Sequence, residues 1–186
     1  MPNPSPYPAA EPDDGQTTIR LLKAIMVLAV GLWALLIAFN NVVDYDSNWQ
    51  FVQHVLAMDT VFPDNALKYR AITDVRLQTA AYWLIIATEW VMGALCFLGA
   101  AGLLRTVRDR SRYRHAKTLA ACGLTLVFLL YFVGFIMIGG EWFCMWQSRD
   151  WNGQAKAFMF LGCAMLVLIV LLIEEQRPPS KEAGSP

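Results

Sequence analysis

Glu89 stands in the apolar run AAYWLIIATEWVMGALCFLGAAGLL, and a carboxylate in such a setting asks for a chemical explanation. It falls about ten residues into that run, which at ~1.5 Å per helical residue places it ~15 Å deep, near the middle of a bilayer. Holding a carboxylate there costs at least ~2.5 kcal/mol, so an intramembrane acid marks a functional site by default. Gly93, Cys96 and Ala100 follow on the same helical face, a small-residue stripe that lets a neighbouring helix approach closely. No lysine or arginine lies at matching depth. Equal counting from the boundary brings Tyr131 and Cys163 to the level of Glu89, and a protonated Glu89 bonded to Tyr131 would satisfy both groups. Two readings stand: a polar clamp between helices, or a protonatable site serving a proton relay or anchoring a polar ligand.

A second candidate cluster lies at the end of another apolar run, in GGEWFCMWQS. Glu141, Trp142 and Trp146, with His54 from a preceding loop, form a candidate mouth site, since a carboxylate among aromatic rings can hold a cation. Helix termination plus an aromatic belt explains the same residues without a ligand. Other chemistry lacks its parts. His54 and His115 both fall outside the apolar runs, so no axial haem ligand is available within them. No His, Cys and carboxylate set recurs at metal-ligand spacing, and there is no Walker A, dinucleotide-binding or nucleophile-elbow motif. No catalytic residue, metal or cofactor is expected.

The elements that must position these residues are transmembrane helices. The chain of 186 residues is 56% hydrophobic and 16% charged, and its apolar residues are gathered into long runs. About 20 such residues cross the hydrocarbon as a helix. Four segments qualify, at about 21–39, 79–104, 116–140 and 153–173. They are too long and too uniformly apolar for barrel strands. The first is read as a retained helix, because the segment before it carries Glu11, Asp13 and Asp14 in place of a basic stretch. The expected fold is therefore an all-α four-helix transmembrane bundle, in a domain over 20–174 between a Pro-rich tail at 1–19 and a tail at 175–186.

Orientation follows from charge. The loop between the second and third spans holds Arg105, Arg108, Arg110, Arg112, Arg114 and Lys117 against Asp109 alone. Basic residues concentrate in cytoplasmic loops, so this loop and both termini are expected inside. Net charge is zero, and nothing points to nucleic acid. Trp49, Trp83, Trp142, Trp146 and Trp151 gather near the opposite, outer boundary. The outer loop at 40–78 is expected to hold short interfacial helices. Ser47 is a plausible cap for one carrying Phe51, Val52, Val55 and Leu56 on one face. A second is expected after Pro63 with Leu67 and Ile72, and Asp74 would cap the second span. Cys96, Cys122 and Cys163 fall in apolar runs at different depths from Cys144, which argues against disulfides.

The segments FVQHVLAMDTVFPDNALKYRAIT, AAYWLIIATEW and GGEWFCMWQSRDWNGQ resemble a family of bacterial proteins described as predicted small integral membrane proteins. The resemblance runs from about Leu21 to Ile173 and implies a bacterial inner membrane and four helices; it supplies no activity. The functional expectation is a non-enzymatic accessory or assembly subunit, or a small-ligand-binding protein, acting at its outer face. The bilayer is its first partner, with another membrane protein or a second copy beside it. A small proton-coupled transporter using Glu89 is the alternative, and a redox or quinone-binding subunit the second.

Overall fold

A computed structural model of the protein describes residues 14–174, and every regular element among them is helical. The elements are α1 (Asp14–Val43), α2 (Tyr45–Ala57), α3 (Val75–Arg105), α4 (Arg110–Phe128) and α5 (Gln154–Leu172). Beyond α4 the helix continues as a wider π segment, Leu129–Trp142, closed by Phe143 N–H donating to Ile138 O at 3.0 Å. Four helices are long and apolar enough to cross a membrane. Their outward faces carry Leu36, Leu84, Phe158, Leu166 and Ile169, all exposed. In water such a surface would drive aggregation, whereas in lipid it is the solvated face.

Helix starts and stops follow local chemistry. Asp74 caps α3 by accepting from Arg76 N–H at 2.8 Å, and Asp109 caps α4 by accepting from Arg112 N–H at 3.1 Å. Ser47 does not cap α2. That helix follows α1 after a one-residue break at Asp44, whose N–H still bonds Asn40 O at 2.8 Å, so Ser47 lies inside it. No second α-helix follows Pro63. Asn65 Oδ1 takes the N–H of Leu67 at 2.7 Å, a local turn that competes with helix, and only the 3-10 turn Lys68–Arg70 forms. Helix α1 begins at Asp14, ahead of the apolar residues, so part of the expected tail is helical. The rest of both tails lies outside the described residues.

The bundle packs α1 on α3, α3 on α4, and α5 against α4, the π segment and α1. Close approach depends on the small-residue stripe. A Cβ on Gly99 would stand 2.6 Å from Ala120 N, and one on Gly31 would stand 2.8 Å from Phe97 N. Cys96 and Ala100 are fully buried on the same face of α3. These contacts fix the register of the helices, and with it the level of every polar group.

The two ends of the bundle differ. At one, which we call the basic end, Arg20 and Lys23 are buried (7% and 4% exposed). Arg20 donates to Val107 O at 3.2 Å, just past α3, and Lys23 Nζ donates to Ile173 O, at the end of α5. Cations on the carbonyls at the C-terminal ends of α3 and α5 satisfy groups that have no partner within their own helix. Tyr113 completes the seal, its hydroxyl donating to Arg20 O at 2.9 Å.

The other, aromatic end carries a folded cap. Val55, Met58 and Val61 pack with Phe143, Cys144 and Met145 in a small core of their own. Thr60 bonds Ser148 at 2.8 Å, and Gln147 Oε1 accepts from Asn65 Nδ2 at 2.8 Å and from Phe62 N–H at 3.1 Å. Met58 and Cys144 both adopt left-handed backbone (φ 49° and 54°) and are buried in this core. Packing holds them in a conformation that non-glycine residues seldom adopt.

Candidate functional site

Between the cap and the bundle lies a cavity of about 480 Å³ that opens at the aromatic end. Glu89, only 2% exposed, is part of its lining. Its Oε2 accepts from Asn41 Nδ2 at 2.6 Å, and Asn41 Oδ1 accepts from Asn48 Nδ2 at 2.7 Å. A relay of amides thus runs from α2 through α1 to the carboxylate on α3. Tyr82, about two turns before Glu89 on the same face of α3, donates to Asn41 O at 3.1 Å and reaches Tyr45 O at 3.3 Å, which holds the end of α1 in place. Glu89 Oε1 takes no hydrogen bond among the described residues.

Tyr131 lines the same cavity, as the equal-depth count expected. The bond between them does not form: the carboxylate's partner is Asn41. Tyr131 is held instead by rings, with Trp33 at 6.0 Å, Phe160 at 5.4 Å and Phe135 at 5.5 Å between centroids. This aromatic cluster joins α1, the π segment and α5 along the cavity wall. The π segment contributes both Tyr131 and Phe135 to the lining, and π turns often occur at functional sites.

The helices around the cavity end at different distances from it. Asn41 lies two residues from the end of α1, and Phe160 lies six residues beyond the start of α5. Both line the cavity with Glu89, which is the fifteenth of the 31 residues of α3. Cys163 is exposed on the outer surface of α5 and has no place in the cavity; Ala157 and Phe160 take the position expected of it. The spans start at different heights, so equal counts from their ends do not give equal levels.

The residues expected at the mouth disperse. Glu141 is exposed. Trp142 (52% exposed) carries the Arg70 guanidinium over its ring at 4.3 Å, and Trp146 meets Phe62 edge-on at 5.9 Å. None of the three lines the cavity. His54 stands behind its wall: the ring stacks on Trp151, a lining residue, at 4.6 Å, and its Nδ1 is 2.8 Å from Asp59 Oδ2. Sequence reasoning missed Asn41, Asn48, Asn152, Tyr82, Trp33 and Phe160. The pair Asn40-Asn41 closing an apolar run was a signal for one of them. Nothing in the sequence linked it to Glu89, 48 residues away.

A second, apolar crevice of about 180 Å³ lies between α2, α3 and the π segment. It shares Phe51, Val52, Ile85 and Phe135 with the polar cavity, so those four side chains form the partition.

Four apolar helices with lipid-facing surfaces define a multi-pass integral membrane protein. The chain belongs to the family described as "Predicted small integral membrane protein (DUF2165)", whose model matches residues 19–174. The match takes in the cap and all of the bundle except the first five residues of α1. No curated protein and no solved structure matches the chain.

Proposed function

We propose that this is a non-enzymatic membrane protein of the bacterial inner membrane that binds a small polar ligand entering from outside the cytoplasm. The observation that carries this reading is the cavity itself, with Glu89 in its lining and an amide relay leading to it. A volume of about 480 Å³ is in the range of small-molecule sites, ~300–1,000 Å³. An aromatic wall beside a few placed polar groups is also the usual lining of such sites. The basic cluster at the opposite end supports an outward-facing mouth by the positive-inside rule. An accessory role beside another membrane protein is compatible with this site, the ligand then being sensed for a partner.

The test is to fill the cavity. Ala157, buried and lining it, becomes Trp, and small polar compounds are screened for stabilisation of both proteins in detergent. Compounds that raise the melting temperature of the wild type and not of Ala157→Trp support the reading. A panel that stabilises both equally, or neither, counts against it. Labelling Ser47→Cys with a membrane-impermeant maleimide in oriented vesicles tests the direction of opening against a wild-type control. Modification from the cytoplasmic face would reverse the orientation.

The burial of Glu89 also favours a second reading, in which the same carboxyl carries a proton with the ligand. Uptake into vesicles driven by a pH gradient and abolished in Glu89→Gln would favour this carrier reading over simple binding.

A further inference from the structure

We propose that the ligand of this cavity is a small organic ammonium with an apolar body, its charged head on Glu89 and its body against the aromatic wall. This rests on the cavity being a ligand site, and it names the chemistry of what enters.

The charges decide the sign. Glu89 and Asp150 line the cavity, against Lys156 as its one lining cation. Lys156 and Asp150 are exposed, at the start of α5 and in the loop before it, where water screens them. Glu89 is buried, and no lysine, arginine or histidine among the described residues lies within ion-pair distance of it. Asn41 satisfies Oε2 and leaves Oε1 for an incoming donor. A buried carboxylate with a hydrogen bond but no counter-charge selects a cation that brings both charge and N–H groups.

The walls decide the kind of cation. Phe51, Tyr131, Phe135, Trp151 and Phe160 line the cavity. Ring faces attract an ammonium and also cover a hydrocarbon body. A hard metal ion would need about six to eight oxygens converging on one point. Glu89 is the one buried carboxylate in this lining, and much of the remainder is ring. The amides of Asn40, Asn48 and Asn152 are placed to hydrate or bond a polar substituent on the path inwards.

The proposal is tested by titration calorimetry on the full chain in detergent with three probes of similar size. These are 2-phenylethylammonium, the neutral 2-phenylethanol and the anionic 3-phenylpropanoate, which carry the same phenylethyl body and differ in the head group. The ammonium should bind at least roughly tenfold more tightly than either of the others. In Glu89→Gln, which keeps an acceptor for Asn41, that preference should disappear while the melting temperature holds. Lys156→Gln gives an independent reading, since removing the lining cation should tighten ammonium binding about two- to fivefold. Equal or tighter binding of the alcohol or the anion, or weaker ammonium binding in Lys156→Gln, overturns the charge assignment. It leaves the ligand cavity standing if that binding is lost in Ala157→Trp. Binding of none of the three overturns the ammonium proposal, and the cavity reading falls with it only if the wider compound panel also fails.

Discussion

The two ends of this bundle use buried charge in opposite ways. At the basic end Arg20 and Lys23 are buried and committed, each donating to a carbonyl at a helix terminus. At the aromatic end Glu89 is equally buried but holds a single hydrogen bond and lies beside open volume. A charge that donates to the carbonyl ends of neighbouring helices closes an end. A charge left with one free oxygen and a cavity beside it keeps the other end available. The contrast separates structural from functional charge more sharply than burial alone, because burial is nearly the same for all three residues.

Substitutions can break this comparison, starting with the contacts that set the register of both ends. Gly99→Val places a Cβ against the backbone of Ala120 and should cost about 3 kcal/mol or prevent folding. Gly162→Ala, whose Cβ meets nothing within 4 Å, is the matched control and should be near neutral. Denaturation in mixed micelles, followed by tryptophan fluorescence, compares the two. A destabilised Gly162→Ala together with a tolerated Gly99→Val would show that the helices do not pack in this register.

Next in size are the two buried polar ends themselves. Lys23→Met removes the donor to Ile173 O and should destabilise by about 1–3 kcal/mol, with ligand binding unchanged in the protein that folds. Asn41→Leu should cost a similar ~1–3 kcal/mol by leaving Glu89 without its donor, and here binding should fall as well. The double variant Asn41→Leu, Glu89→Gln should regain part of that loss, because a neutral amide replaces the stranded carboxylate. Equal effects of Lys23→Met and Asn41→Leu on binding would erase the distinction between the ends.

The smallest effects are expected on the outer surface. Thr60→Ala loses one bond between the two cap loops, about 1 kcal/mol. Glu141→Gln, at an exposed position off the cavity, should change stability by less than about 0.5 kcal/mol and leave binding untouched. A strong effect of Glu141→Gln on binding would move the site out of the cavity and back to the mouth.

Much of the fold was legible because it rests on local terms. Long apolar runs become helices in lipid wherever backbone groups must be satisfied internally. The caps at Asp74 and Asp109 are short-range hydrogen bonds. The site was legible only where a single residue was anomalous, which is why Glu89 stood out and Asn41 did not. Tyr131 was found because helix geometry fixes relative height once neighbours are assumed. Cys163 was misplaced because that count assumed equal starting levels, and it also ignored which face of α5 turns inwards.

By itself the sequence determined four membrane helices, a basic end and an aromatic end, and a carboxylate whose cost had to be met. Those outcomes depend on composition, period and charge counted along the chain. Tertiary structure alone decided what meets that carboxylate. The Gly31, Gly99 and Gly123 contacts set how far the helices slide past one another. That sliding brings Asn41 to Glu89 across 48 residues and leaves an open cavity beside them. Lipid is as apolar as the helix faces it surrounds, so hydrophobicity places the helices in the bilayer without choosing their register. Packing of small residues makes that choice, and no count along the chain reveals it.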